Sequence, residues 1–255
     1  MKPLESPYRP AVAGALVGLA LAALPLAAQT DVRVVAPTIK DARSRYGTND
    51  PSGSLTLFTK VEGAGIEGAK GFRITVTGAK DEAGNSLLPE SPEKQDWADS
   101  PSWPGLWIKL KSPNREASTV TVTGTLEVYL PSRDPAAEVK VEKFYAKAGK
   151  PIVSTGLKDA KIELTVVPRE RVNEGSVVLV GRTPDMERIR SIRVVKADGT
   201  ELPTAGRSSQ SDSESTMLQI GHSEAVPPDA GLVFTLLTEK SILAVPFELK
   251  DVPLP

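Results

Sequence analysis

Along most of the chain, apolar and polar positions alternate with a period of two. Residues 54–59 (SLTLFT) follow this pattern, and in 72–77 Phe72, Ile74 and Val76 share a face. Leu106, Ile108 and Leu110 fall on one side, with Trp107, Lys109 and Lys111 opposite. Residues 120–122 and 125–130 read as two strand pieces separated by Gly124, and Val139 and Val141 line one side of the next strand. Ile162, Leu164 and Val166 alternate with Lys161, Glu163 and Thr165. Further strands are expected at 176–180, 191–195, 216–220, 232–237 and 245–249. Val and Thr are plentiful in these segments and suit a pleated, half-buried surface. Helical spacing of apolar residues nowhere extends beyond about two turns, and the best helical candidate is a turn around 185–189. The pattern predicts an all-β chain.

A repeat organises the strands. LTLFTKVEGAGIEGAKGFRITV leads into KDEAGNSLLP, and SVVLVGRTPDMERIRSIRVV leads into KADGTELP. Each block is a strand, a loop, a strand, an acidic-Gly turn and an apolar-Pro exit. Gly124 and Gly231 fall at matching points, as do Val139 and Val245. The repeat predicts two tandem immunoglobulin-like β-sandwich domains, 31–150 and 157–255, with a linker at 147–151. A single large sandwich or barrel is the alternative. The likeness to immunoglobulin domains is architectural only, because the chain has no Cys.

The amino-terminal residues follow a different rule. Lys2 and Arg9 precede an apolar run at 11–24, AVAGALVGLALAAL, which Pro25 ends before Leu26-Ala27-Ala28. This is the three-part pattern of a secretory signal peptide, 1–28, with cleavage expected after Ala28. A retained anchor is the rival, although a bilayer span needs ~20 apolar residues. The absence of Cys excludes a lipoprotein anchor, disulfides, thiolate metal sites and a cysteine nucleophile. Export without disulfides suits a bacterium, in the periplasm or outside the cell. Lys and Arg total 31 against 32 Asp and Glu, so the chain lacks the basic footprint of a nucleic-acid binder. No membrane span is expected once the leader is removed.

Few residues suggest chemistry. The single His, His222, stands in Gly221-His222-Ser223-Glu224, but neighbours on a turn diverge and no nucleophile elbow is present, so a polar turn is expected. The turns 81–85 (DEAGN) and 198–200 (DGT) hold acids, yet neither has the ligand pattern of a calcium loop. The polar stretch 207–215 is read as a mobile loop, and Arg188, Arg190 and Arg193 as solvated strand positions. No catalytic residue, cofactor or metal ligand is assigned. The three Trp residues, Trp97, Trp103 and Trp107, cluster in a Pro- and Asp-bearing segment and form the one candidate ligand surface.

The carboxyl-terminal residues, Val245-Pro246-Phe247-Glu248-Leu249-Lys250-Asp251-Val252-Pro253-Leu254-Pro255, resemble the tails of uncharacterised exported bacterial proteins with a PF-x-x-x-D-V-P-L-P type terminus. The region of the Asp198-Gly199 turn is also similar to theirs. The resemblance implies export and β architecture, with no activity to transfer. The leading expectation is an exported, non-enzymatic protein that binds or scaffolds at the bacterial envelope, with an unknown protein or polysaccharide partner. Carbohydrate binding through the 97–107 segment is the first alternative. A hydrolase with fold-assembled carboxylates is the second.

Overall fold

The computed structural model describes residues 31–42, 53–91 and 95–255, the side chains at 103–105 apart. The expected leader and the Trp103 side chain lie outside the described residues. The first part of the chain forms β1 (Arg33–Ala42), β2 (Ser54–Glu62), β3 (Gly71–Asp81), β4 (Ser102–Lys111) and β5 (Thr119–Tyr129). Next come β6 (Glu138–Val141), the short helix α1 (Thr155–Asp159), β7 (Leu164–Val166), β8 (Ser176–Arg182) and the single turn α2 (Thr183–Met186). β9 (Ile189–Val195), β10 (Thr204–Ser211), β11 (Ser215–His222), β12 (Gly231–Leu236) and β13 (Ile242–Pro253) complete the order. The molecule is all-β in class, as the alternation predicts. No helix among the described residues is long and apolar enough to cross a membrane.

Four antiparallel sheets enclose two apolar cores. Sheets β1-β2-β4 and β13-β5-β3 face one another across Leu55, Leu57, Ile108, Val122, Leu126 and their neighbours. Sheets β6-β12-β9 and β10-β11-β8-β7 enclose Val141, Leu164, Leu179, Val194, Leu218 and Phe234. In β5, Val120, Val122, Leu126 and Val128 point inward and are all 1% exposed or less. Removing such side chains from water is the main favourable contribution to each sandwich.

The pairing departs from the expected division of the chain. β13 was expected to close the second unit, but it runs antiparallel to β5, from Ile242 opposite Tyr129 to Pro253 opposite Thr119. β6 was expected in the first unit, but it pairs with β12, Val139 opposite Phe234. The second sandwich is therefore inserted between the last two strands of the first. The expected linker at 147–151 belongs to the inserted unit: it is largely exposed, but Phe144 before it and Ile152 after it both lie in the second core. Alternation tells which face of a strand is buried and is silent about which strand lies beside it.

Gly124 shows why β5 is one strand instead of two pieces. It occupies an inward position opposite Phe247 of β13 and Val76 of β3. A Cβ there would lie 2.4 Å from the Thr75 carbonyl oxygen and 2.7 Å from the Phe247 ring. The aromatic ring fills the space that the missing side chain leaves, so a glycine at the centre of the sheet is compatible with a closed core. Pro246 is accommodated because β13 is an edge strand.

Two segments escape the period-two rule. β1 carries Pro37 within a register shift between Val35 and Thr38, which breaks its alternation. The polar stretch expected to be a loop is largely β10, paired with β11 from Thr204 opposite His222 to Ser211 opposite Thr216. All eight residues of β10 are exposed, so there is no buried face to write a pattern into its sequence.

Candidate functional site

The three-stranded sheet β1-β2-β4 turns one face to the core and the other to solvent. On the outer face, register places Thr38, Phe58 and Trp107 side by side, with Lys40, Thr56 and Lys109 in the next row. Trp107 is 42% exposed and is among the few large apolar side chains so displayed. It stands outward because Leu106 and Ile108 on either side take the core positions. The Gln95 side-chain amide donates to the Trp107 carbonyl oxygen, tying the preceding segment to this strand. Lys111 pairs with Glu90, 3.6 Å away. Among the described residues, neither Lys40 nor Lys109 has a carboxylate partner. The surface is an aromatic strip beside two lysine ammonium groups that no described carboxylate neutralises.

Trp97 is held elsewhere. Phe72 and Ala98 exchange backbone hydrogen bonds, each N–H donating at 2.8 Å, which fixes Trp97 against the end of β3 and β5. Its ring meets Tyr129 edge-on, with centroids 6.0 Å apart. The Arg73 guanidinium lies over the Trp97 ring, 4.6 Å from its centroid, and Arg73 pairs with Glu127 at 2.6 Å. Trp97 and Trp107 therefore belong to separate surfaces, and the expected platform of three Trp residues is not a single site.

The end of β5 is also where the two sandwiches meet. Tyr129 is fully buried, and its hydroxyl donates to the Leu236 carbonyl oxygen of β12 at 3.0 Å. The Leu130 N–H donates to the Ser241 carbonyl oxygen at 2.7 Å. Burial pushes the Tyr129 phenol up to about 12, although the nearby positive charge of Arg190 works in the opposite direction. Arg190 reaches from β9 to pair with Asp99, and a Cβ at Gly71 would lie 3.2 Å from Trp97 Cε3 and 3.4 Å from Arg190 Nε. Sequence reading placed Arg190 among solvated positions. Nothing in its local pattern tells of a partner 91 residues away.

The other candidates resolve into structural roles. His222 is 8% exposed, buried on the inward side of β11 and not on the polar turn expected for it. Its Nδ1 lies 3.0 Å from the Pro203 carbonyl oxygen, while Ser223 and Glu224 are exposed and Glu224 pairs with Lys196. Both oxygens of Asp81 accept from Asn85, at 2.8 and 2.9 Å, and Asp198 accepts from the Thr200 N–H at 2.8 Å. These carboxylates brace their turns. Among the described residues, no three His, Asp or Glu side chains gather where they would hold a metal ion. An open groove of about 600 Å³ on β6-β12-β9 is lined in part by Glu138 and Arg193, which pair at 3.1 Å, and Arg193 also pairs with Glu201 at 3.5 Å. Both acids are about half exposed and share that cation, the arrangement of a solvated ion-pair network.

No protein-family model matches the chain, and no curated protein matches it. It is similar to a chain of the solved structure described as "Complete structure of manganese lipoxygenase of Gaeumannomyces graminis and partial structure of zonadhesin of Komagataella pastoris". That match has 11% identity and a TM-score of 0.17, and covers 86% of this chain and 92% of the other. A likeness of that extent carries no argument about fold or function.

Proposed function

We propose that this chain is a non-enzymatic binding protein, exported to the bacterial envelope, whose β1-β2-β4 outer face takes up an acidic polysaccharide. The observation that carries the reading is Trp107, displayed on the outer face of the sheet next to Lys40 and Lys109, neither of which has a carboxylate partner among the described residues. A Trp face stacks on the apolar side of a sugar ring, and a lysine ammonium supplies charge to a uronate carboxylate. Rows along one face of a strand recur about every 6.7 Å. One sugar can therefore contact the Trp while its neighbour meets a lysine. The reading also takes residues 1–28 as a cleaved leader and the two sandwiches as immunoglobulin-like, one inserted in the other.

Affinity electrophoresis tests the proposal. The full chain should be retarded in gels containing polygalacturonate and should run freely in gels containing an uncharged cellulose ether. Trp107→Ala should abolish the retardation, and Lys40→Ala combined with Lys109→Ala should weaken it and remove its salt dependence. Equal mobility in both gels, or unchanged retardation of Trp107→Ala, would refute the assignment.

A further inference from the structure

The outer edge of β10 is open. Sheet order places β10 at one end of β10-β11-β8-β7, paired with β11 alone. All its residues are exposed, on both faces of the strand. An unpaired row of backbone donors and acceptors is a template for another strand, and proteins ordinarily blunt such edges. The other edge strands among the described residues are blunted. β1 lies beside β13 and β3 beside β4, and the first pair carries Pro37 and Pro246. β6 has four residues and β7 three. β9 carries Arg190 and Arg193, and the Leu202 N–H donates to its Val194 carbonyl oxygen at 2.8 Å. β10 has no Pro, no Lys and a single charged residue, Arg207.

The backbone direction along this edge follows from the hairpin. The Asp212 N–H donates to the Ser215 carbonyl oxygen at 2.9 Å and closes the β10–β11 turn. In an antiparallel ladder, hydrogen-bonded pairs recur at every second residue. Register therefore turns the backbone groups of Gln210 and Ser208 toward Met217 and Gln219 of β11. Those of Arg207, Ser209 and Ser211 point to the open side, where no described residue meets them. The register shift between Thr204 and Gly206 limits the regular run at one end, and the turn limits it at the other. That run, 206–212, is centred on Ser209.

The side chains decide what kind of strand fits. In strand addition, main-chain hydrogen bonds supply affinity and pockets for alternate side chains supply selectivity. Apart from Arg207, β10 displays Thr, Ala, Gly, Ser and Gln, small or polar side chains in water that frame no apolar pocket for a foreign sequence. A second copy needs no pocket, because a two-fold axis makes every contact twice and fixes the register. Pairing about Arg207 would set the two cations face to face, which is unfavourable. Pairing about Ser209 sets Arg207 opposite Ser211 of the second copy. The two arginines then stand four residues apart along the ladder, about 13 Å, beyond a Debye length of ~8 Å.

We infer that β10 pairs with β10 of a second copy of this chain, antiparallel about Ser209, joining two four-stranded sheets into one. Arg207, Ser209 and Ser211 of the two copies exchange roughly six ladder hydrogen bonds, so the dimer is weak and reversible. The β1-β2-β4 face lies on another sheet, and the pairing does not depend on the polysaccharide reading.

Cysteine trapping tests the pairing, because the chain has no Cys of its own. Arg207→Cys, Ser209→Cys and Ser211→Cys are made singly in the full chain and oxidised under identical mild conditions. Position 209 meets its own copy across the axis with Cα atoms about 5.5 Å apart, within disulfide reach. Ser209→Cys should therefore form a disulfide dimer fastest, while Arg207→Cys and Ser211→Cys should cross-link quickly only when mixed with each other. In sedimentation, the wild-type dimer should grow with protein concentration. Ser209→Pro deletes a donor on the open side alone and should weaken association roughly tenfold or more, with thermal unfolding to confirm that it is folded. Equal oxidation rates at the three positions would mark random collision, or association through another surface such as the apolar run 11–24, and would overturn the inference. A dimer unaffected by Ser209→Pro would do the same. A chain that stays monomeric at millimolar concentration would leave the edge to a foreign strand and also overturn it.

Discussion

Replacing Tyr129 by Phe isolates one hydroxyl at the seam between the sandwiches, and its effect should change sign with pH. At neutral pH the variant loses the 3.0 Å hydrogen bond to the Leu236 carbonyl. That loss amounts to about 1 kcal/mol of stability. The wild-type phenol is pushed from 10.0 up to about 12 by burial. Between those values the unfolded chain releases the proton while the native state keeps it. The native state then binds more protons, so wild-type stability is full below pH 10 and falls as pH rises toward 12. Two pH units at 1.36 kcal/mol each give a loss of roughly 2–3 kcal/mol. Phe has no proton to release. Tyr129→Phe should therefore be the less stable protein by about 1 kcal/mol at pH 8, cross the wild type near pH 11, and exceed it by about 1–2 kcal/mol at pH 12. Tyr145, also raised by burial, is present in both proteins and cancels from the difference. Urea denaturation followed by far-ultraviolet circular dichroism at pH 8, 10, 11 and 12 measures it. A difference that stays constant across the series would show that Tyr129 does not titrate from a buried neutral form.

Three further outcomes follow from the fold. Deleting residues 242–255 should expose the amides of β3 and β5 to hydrogen exchange while β8, β11 and β12 stay protected; loss of protection in the second core instead would contradict the insertion. Gly124→Ala drives a methyl group against the Thr75 carbonyl and the Phe247 ring, and should lower stability by about 1–3 kcal/mol in chemical denaturation. The Glu82 carboxylate accepts the N–H groups of Thr119 and Ser118, which hold it down at about 2, well below the usual 4.5. Its contribution is present above pH 4.5 and disappears as pH falls through about 2, so carbon-detected NMR should find its midpoint near 2, and Glu82→Gln should speed amide exchange at Ser118 and Thr119.

The strands with one buried face were legible because burial imposes its period on the sequence: β2, β3, β4 and β11 lie where alternation puts them, while β8 and β12, buried on both faces, stand out as continuous apolar runs. β10 was illegible for the converse reason, since a strand wet on both sides is specified by its neighbour's backbone alone. The repeat was read from hairpin grammar, and grammar does not name partners. Val139 and Val245 match in position, yet one strand serves the inserted core and the other the enclosing one. Among candidate surface residues, Trp107 was legible as an aromatic out of phase with its apolar neighbours. The junction was not. Arg73, Tyr129 and Arg190 are scattered through both halves and come together only when the sandwiches meet, and only Asp99 lies in a segment the sequence had marked as a candidate surface.

The route of β13 back to β5 dictates an order of events during synthesis. As the chain emerges, β5 appears early but waits with an open flank until the whole inserted sandwich has been made. The inserted unit, whose strands arrive consecutively, can close first, and the enclosing one closes only when Val245, Phe247 and Leu249 arrive to complete it. This late closure keeps the leading portion of the chain unlocked until its final strand has been made.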